Sequence, residues 1–195
     1  MKELFVPFHI PDFENIQIEL LNAIDHDYKV EEKPHAFTYQ EKYMLEKCPM
    51  FMSWLKPRLK LPVRLYRYYI TPPKNKLSIH IDGTNPTVPF ALNIPLVGTK
   101  NTYHSFYETE RENMIAKTGP GYLAATQPID YSKLNKIADL EILTPHITNN
   151  SVLHGVTNDT DDYRVMFTVR WLIHPSQGRD VQDCMEISDL IESVK

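Results

Sequence analysis

Residues 63–97 read VRLYRYYITPPKNKLSIHIDGTNPTVPFALNIPLV, and this stretch decides the fold class. It contains three segments rich in aromatic and β-branched residues, 63–70, 77–81 and 89–97. Such segments are typical of strands. Turn-forming Pro, Asn, Asp and Gly residues separate them and leave no room for a helix. Because parallel α/β folds need a helix between successive strands, the stretch predicts antiparallel β-structure.

More strands are predicted after this stretch, with a short helical segment near residues 131–138. The segments of similar composition are 102–108, 122–126, 140–147, 151–157 and 163–174. About eight short strands in one block predict a mainly β protein with flanking helices, whose core is a two-sheet jelly roll or a barrel. An immunoglobulin-like sandwich is less favoured because its cysteine pair and turn spacing are missing.

The chain is expected to form one domain, residues 1–195, because no repeat or linker interrupts it. Apolar residues recur at helical spacing early in the chain, so residues 1–60 are predicted to be a helical N-terminal support. Residues 63–174 would form the jelly-roll core that carries the functional site. Residues 181–194 are amphipathic and are predicted to form a C-terminal helix.

Composition excludes several classes of protein. With 42% hydrophobic and 11% aromatic residues, the chain is not disordered. No apolar run reaches the roughly 18–20 residues of a membrane span, and Pro7 and Pro11 break any signal peptide, so we expect a cytoplasmic protein without a membrane partner. A net charge of −4 makes nucleic acid an unlikely partner. Cys48 and Cys184 lie far apart and offer neither a disulfide framework nor a cysteine zinc site.

His80 and Asp82 are the first candidate functional residues. Side chains alternate along a strand, so these two share one face while Ile79 and Ile81 point to the other. An imidazole and a carboxylate placed together cost stability unless something uses them, and a metal ion is the simplest use. The alternative is an ion-paired strand at the surface, because His-x-Asp is a common pattern.

A third ligand must come from elsewhere, and His154 is the favoured choice. It lies at the end of an apolar strand and precedes a glycine, which allows close backbone packing. His146 and His104 are the alternatives. Two histidines and one carboxylate on one face of an iron ion leave the opposite positions open for oxygen chemistry.

Arg164 follows His154 by ten residues. If the two strands form a hairpin centred near Asp159, these residues lie directly opposite, with Cβ atoms about 4.5–5.5 Å apart. A buried arginine favours a carboxylate partner, which a dicarboxylate co-substrate would supply. The alternative is a surface cation paired with the acidic residues 159–162. Arg170 shares the face of Arg164 but lies about 20 Å further along the strand, which predicts a structural or rim role.

The pattern His80-x-Asp82, His154 and Arg164 resembles that of the iron(II)- and 2-oxoglutarate-dependent oxygenases. Residues 80–98, HIDGTNPTVPFALNIPLVG, look like the corresponding region of the aspartyl/asparaginyl hydroxylase-like and phytanoyl-hydroxylase-like branches. The resemblance covers roughly residues 64–173 and implies a double-stranded β-helix core, the jelly-roll or cupin-like fold. It implies a dioxygenase that binds Fe(II) through the two histidines and the aspartate. It also implies 2-oxoglutarate as co-substrate, and O2 for hydroxylation of an unidentified prime substrate, either a small molecule or a protein side chain.

Two further positions bear on the co-substrate. Many members of that superfamily carry a serine two residues after the arginine, where this chain has Met166. The far carboxylate must therefore find another hydroxyl or bind Arg164 alone. In resembling enzymes an asparagine or tyrosine in the strand that corresponds to residues 89–97 often helps to hold 2-oxoglutarate, so Asn93 is the candidate here. A solvent-facing strand position is its alternative.

Two other functions stay open at this stage. One is a cupin-like metal protein that binds a small molecule or catalyses a reaction without redox turnover. The other is a metal-free jelly-roll interaction module in which His80 and Asp82 are surface residues. Titrations with iron and with 2-oxoglutarate separate the three readings, because the oxygenase needs both ligands, the cupin-like protein only the metal, and the module neither.

Overall fold

The protein is described here by a computed structural model that covers residues 4–82, 87–117 and 125–172. These ranges contain three α-helices, α1 Phe13–Asn22, α2 Glu41–Lys47 and α3 Pro49–Leu55. They also contain twelve strands: β1 Phe5–Pro7, β2 His35–Tyr39, β3 Val63–Thr71, β4 Asn75–His80, β5 Thr87–Val97, β6 Thr102–Glu108, β7 Met114–Lys117, β8 Ala125–Pro128, β9 Asn135–Leu140, β10 His146–Asn149, β11 Leu153–Asn158 and β12 Arg164–Leu172. None of the helices in these ranges has the length and apolar character needed to span a membrane.

The strands form two antiparallel sheets and a ribbon. The larger sheet has six strands in the order β1-β10-β5-β12-β3-β2, and the smaller has four in the order β4-β11-β6-β9. Strands β7 and β8 pair with each other and form the separate two-stranded ribbon. The predicted class, mainly β with flanking helices, is confirmed.

The six-stranded sheet is buried on both faces. On its outer face, Phe167, Val169 and Trp171 of β12 are fully buried in a large core that includes Leu20 of α1 and Phe51 of α3. This core packs the helices against the sheet. Because alternate residues of a strand point to opposite faces, the residues between them point toward the second sheet.

The inner face carries a smaller apolar cluster and many polar groups. Met166 of β12 packs there with Phe106 of β6 and Leu140 of β9, so the two sheets face each other. Several other buried residues of this face are polar: Asn93, Thr148, Arg164, Thr168 and Arg170. Buried polar groups cost free energy unless they form hydrogen bonds, so this face is suited to binding polar or charged groups and does not form a purely apolar core.

The N-terminal region differs in part from its prediction. Residues 1–60 contain the expected helices, but they also supply β1 and β2, one at each edge of the six-stranded sheet. Near residues 131–138, a 3-10 turn at Tyr131–Lys133 leads directly into β9 instead of a longer helix. Short segments of this kind take the strand form because a neighbouring edge completes their hydrogen bonds. The predicted helix at 181–194 lies outside the described residues.

The predicted hairpin between β11 and β12 is wrong. The two strands belong to different sheets, so His154 does not face Arg164. His154 pairs with His80 of β4 on one side, and Arg164 pairs with Thr71 of β3. The segment between them is therefore a crossover from one sheet to the other.

Asn158 gives the physical reason for this crossover. Its side-chain Nδ2 donates to the carbonyl of Thr71 at 2.9 Å and to the carbonyl of Asp162 at 2.8 Å. The residue is fully buried at the end of β11. By bonding to β3 and to the start of the next segment, this amide ties the crossover to the six-stranded sheet, and the tight turn of a hairpin is not formed.

Candidate metal centre

Three predicted ligands lie together between the two sheets. His80 ends β4, and its Nε2 is 3.2 Å from Oδ1 of Asp82. His154 pairs with His80 across the β4–β11 ladder, with ring centroids 4.7 Å apart. Its Nε2 is 3.9 Å from Oδ2 of Asp82. One ligand atom from each of the three residues lies within 4.8 Å of the other two, which is a geometry that could hold a metal ion.

The backbone fixes both imidazole rings. His80 Nδ1 lies 2.6 Å from the carbonyl oxygen of Ser78, and His154 Nδ1 lies 2.9 Å from that of Val152. A carbonyl only accepts hydrogen bonds, so each Nδ1 carries the hydrogen. The lone pair of each neutral ring is then on Nε2, on the side of Asp82. Ligating histidines in metal sites are held in this way.

The charges in this cluster depend on burial and on Asp82. Burial favours a raised pKa for Asp82, but Arg170 and the two histidines hold it well below its ordinary value. Burial lowers the pKa of His154 to about 4. Burial acts in the same direction on His80, but the hydrogen bond and the charge of Asp82 outweigh it and raise the pKa of that ring. At neutral pH the carboxylate is ionised and His154 is neutral, as metal binding requires.

Two residues at Asp82 were not identified as functional from the sequence. Arg170 donates from Nη1 to Oδ2 of Asp82, and Asn150 donates to the same oxygen from Nδ2 at 2.6 Å. Arg170 is buried, so its predicted rim position is wrong, and its structural role is to hold a candidate ligand. That prediction measured its distance along β12 from a residue that was assumed to lie beside His154. Since β12 instead lies in the facing sheet, its far end reaches the cluster.

Arg164 begins β12 and lies about 20 Å from Arg170 along the strand by the usual rise. It is only 3% exposed. Among the described residues, no hydrogen-bond acceptor reaches its Nε and no carboxylate forms an ion pair with it. Burial lowers the pKa of this guanidinium to about 10, so it remains charged at neutral pH. A buried charge of this kind needs an anionic partner.

His104 is buried close enough to both His154 and Arg164 for their charges to act on its ring. Its ring is buried, stacks on Phe106 at 4.9 Å and lies 5.0 Å from the ring of His154. Burial, together with His154 and Arg164, holds its pKa well below the ordinary value, so the ring is neutral. Within the described ranges its Nε2 is buried and has no hydrogen-bond partner. Neither His104 nor His146, the two alternatives to His154, belongs to the group of converging ligand atoms.

Asn93 lies on the inner face of the six-stranded sheet and is 6% exposed, so it is not a solvent-facing residue. Its Nδ2 donates to Oγ1 of Thr148 at 2.6 Å, and its Oδ1 accepts from Oγ1 of Thr168 at 2.8 Å. Met166, at the position where a serine is common in the resembling superfamily, is buried and packs against the apolar cluster between the sheets.

The ribbon of β7 and β8 is attached directly beside the metal ligands. Ile81, between His80 and Asp82 in sequence, exchanges two backbone hydrogen bonds with Thr126 of β8, at 2.8 and 3.2 Å. The backbone N–H of Asp82 donates to the carbonyl of Asn150 at 3.2 Å. The segment that carries two of the ligands is therefore fixed on both sides.

The sequence matches no protein-family model and none of the curated proteins. In structure it is similar to the non-heme alpha-ketoglutarate-dependent carbocyclase SnoK from nogalamycin biosynthesis, with 11% identity, a TM-score of 0.58, and coverage of 100% of this chain and 90% of that one. It is also similar to the epimerase SnoN, solved with Fe3+, alpha-ketoglutarate and nogalamycin RO, with 12% identity, a TM-score of 0.54, and coverage of 87% and 78%.

At these identities the similarity concerns the fold. The described strands and their order agree with the predicted jelly roll, and the similarity covers the whole chain in one case. The chain therefore has the double-stranded β-helix fold of these two proteins, as its sequence predicts.

Proposed function

We propose that this protein is an Fe(II)- and 2-oxoglutarate-dependent dioxygenase. The observation that carries the proposal is the convergence of His80, Asp82 and His154, whose ligand atoms lie within 4.8 Å of one another. Two imidazoles and one carboxylate with open positions are typical of non-heme iron oxygenases. His80, Asp82 and His154 would hold the iron, and with 2-oxoglutarate and O2 as co-substrates it would supply the oxidising chemistry for hydroxylation of a C–H bond of the prime substrate.

The residues present fit such a metal. Both histidines direct Nε2 toward Asp82 because their Nδ1 atoms are bonded to the backbone. Arg170 keeps Asp82 ionised, and burial keeps His154 neutral. The protein thus holds Asp82 and His154 in the protonation states that bind a metal.

The distal part of the interior fits the co-substrate. Nε of Arg164 and Nε2 of His104 are buried atoms that find no hydrogen-bond partner in the described part of the chain. We propose that the far carboxylate of 2-oxoglutarate binds here, with Arg164 donating two parallel hydrogen bonds to it. Asn93 uses one amide hydrogen for Thr148, and the second would donate to the co-substrate.

The two sheets would exclude water from the reaction. The apolar cluster of Phe106, Leu140 and Met166 closes the space between the sheets on one side. The ribbon of β7 and β8 lies against the ligand segment at Ile81. We propose that the prime substrate, a small molecule or a protein side chain, approaches beside this ribbon, since the side chains of His80 and Asp82 next to it are 15% and 22% exposed.

Calorimetric titration tests the proposal. Purified protein should bind one Mn(II) per chain under anaerobic conditions, and 2-oxoglutarate only after the metal. Aerobic protein with Fe(II) should then form succinate from 2-oxoglutarate. Binding of the metal without 2-oxoglutarate would instead support a cupin-like protein. Binding of neither would support a metal-free interaction module.

A further inference from the structure

A continuous series of four hydrogen bonds leads across the six-stranded sheet to the candidate metal ligand Asp82. Oγ1 of Thr168 donates to Oδ1 of Asn93 at 2.8 Å, and Nδ2 of Asn93 donates to Oγ1 of Thr148 at 2.6 Å. Oγ1 of Thr148 donates to Oδ1 of Asn150 at 2.9 Å. Nδ2 of Asn150 then donates to Oδ2 of Asp82 at 2.6 Å. We call these four donors the relay residues.

The relay residues lie on three neighbouring strands and the turn that follows them. Thr168 of β12 pairs with Asn93 of β5, and Thr148 belongs to β10, which pairs with β5 on its other side. Asn150 follows β10 by one residue. None of the four is more than 6% exposed. Burying four neutral polar side chains costs free energy, and their mutual hydrogen bonds offset that cost. Apolar side chains would fill the same space without this cost, so the polar row suggests a role beyond packing.

The donors all point in one direction. An ionised carboxylate only accepts hydrogen bonds, so Asn150 must turn its Nδ2 toward Asp82 and its Oδ1 toward Thr148. The hydroxyl of Thr148 then donates to Asn150 and accepts from Asn93. The same logic places the Oδ1 of Asn93 toward Thr168. Bonds aligned in this way polarise one another, and their combined effect acts on the carboxylate at the end.

We infer that the relay residues position Asp82 for metal binding, together with Arg170. Asn150 and Arg170 both donate to Oδ2, which leaves Oδ1 as the oxygen on the side of His80. The carboxylate would bind the metal through Oδ1 with its plane fixed. This inference rests on the metal site of the proposed function but does not depend on 2-oxoglutarate.

Variants that keep side-chain shape test the relay. Asn150→Leu removes the last donor and should weaken Mn(II) binding about ten- to hundredfold, the usual effect of losing a partner that orients a ligand. Thr168→Val removes the first donor and should weaken it by a smaller factor. In the Asn150→Leu background, the additional effect of Thr168→Val should vanish, because the connection to Asp82 is already broken.

Thr102→Val is the matched control. Thr102 is 2% exposed, and its Oγ1 donates to the carbonyl of Thr99 at 2.8 Å, without a connection to Asp82. It should leave Mn(II) affinity unchanged even if it lowers the thermal midpoint of the metal-free protein. Asn150→Gln keeps an amide donor and should restore part of the affinity that Asn150→Leu loses. The Mn(II) electron paramagnetic resonance spectrum should change in the relay variants and not in the control.

The outcomes separate the two proposals. Wild-type protein that binds no Mn(II) would overturn the metal site and the relay together. Wild-type protein that binds Mn(II), with Asn150→Leu unchanged within twofold, would overturn the relay alone. If Asn150→Leu does not fold, Thr168→Val and Thr148→Val decide, since each changes one hydroxyl for a methyl group. An effect of Thr168→Val that is as large in the Asn150→Leu background as in the wild type would also refute the relay.

Discussion

Arg170 and Asp82 lie 88 residues apart in the sequence, and Nη1 of Arg170 donates directly to Oδ2 of Asp82. This contact joins β12 of the six-stranded sheet to the residues that follow β4 of the four-stranded sheet. The guanidinium is 6% exposed and the carboxylate 22%. Breaking such a pair leaves a buried charge without compensation, so each partner constrains the other. Arg170 thereby sets both the charge and the orientation of a candidate metal ligand.

The first prediction concerns the ligands. His80→Ala should abolish stoichiometric Mn(II) binding, and Asp82→Asn should weaken it sharply because the negative charge is lost. Calorimetry measures both. His146→Gln is a suitable control, since His146 is also buried but lies outside the converging group. Retention of one bound Mn(II) per chain in His80→Ala would refute the ligand assignment.

The second prediction concerns Arg164. Arg164→Lys keeps the charge but cannot donate two parallel hydrogen bonds, and each such bond contributes about 1.5–3 kcal/mol. The dissociation constant of 2-oxoglutarate should therefore rise at least about tenfold, while Mn(II) affinity stays the same. Pyruvate lacks the far carboxylate and should bind the variant and the wild type equally.

Arg170→Lys provides the contrast. Because Arg170 contacts Asp82, this variant should weaken Mn(II) binding and should lower 2-oxoglutarate affinity only as a consequence. If Arg164→Lys weakened Mn(II) binding and Arg170→Lys weakened only 2-oxoglutarate binding, the roles assigned to the two arginines would have to be exchanged.

The third prediction concerns folding without metal. The large core between the helices and the six-stranded sheet contains none of the candidate ligands. The metal-free protein should therefore unfold cooperatively on heating, unlike a zinc finger. Saturating Mn(II) should raise the midpoint by mass action. A metal-free protein without a cooperative transition would contradict this picture.

The fourth prediction concerns Gly98, in the turn between β5 and β6. Its φ is +59°, and a Cβ at this position would lie 2.1 Å from the backbone carbonyl oxygen of Tyr163. Gly98→Ala should lower the free energy of unfolding by more than about 1–3 kcal/mol, because the clash adds to the backbone strain. Lys100→Ala, an exposed change in the same turn, should stay within about 0.5 kcal/mol of wild type in denaturant titrations.

The fifth prediction concerns Cys48, which is fully buried beside the helices. Burial raises the pKa of its thiol to about 12, so almost no thiolate exists at pH 8. In a Cys184→Ser background, the native protein should resist alkylation at this pH, and it should react once denaturant unfolds it. Rapid alkylation of the native protein would show that this part of the core opens readily.

Alternation along single strands explains what could be predicted. It places His80 and Asp82 on one face, and their side chains lie 3.2 Å apart in the structure. It also places Arg164 and Arg170 on one face of β12, and both are buried on the inner side. The short strands without intervening helices predict the jelly roll for the same local reason. These inferences require only the alternation of side chains between the two faces of a strand, which can be read from the local sequence.

The remaining features depend on long-range pairing. Whether β11 continues into a hairpin or crosses to the other sheet is decided by Asn158, whose bonds reach Thr71 in a distant strand. No local pattern reports that choice, so the position of Arg170 could not be predicted. Asn150 lies in a turn, where residues of its type are common, and only its bond to Asp82 distinguishes it.

The two faces of β12 have separate tasks, and this separation bears on how the sequence can diverge. Phe167, Val169 and Trp171 face the helices, whereas Thr168 and Arg170 face the ligands. Substitutions of the polar residues on the second face would alter the candidate site, whereas the apolar packing that maintains the sheet depends on the first face and on Met166. The first face requires only apolar side chains of suitable volume, so the same architecture is compatible with very different sequences, as the similarity to a structure of 11% identity illustrates.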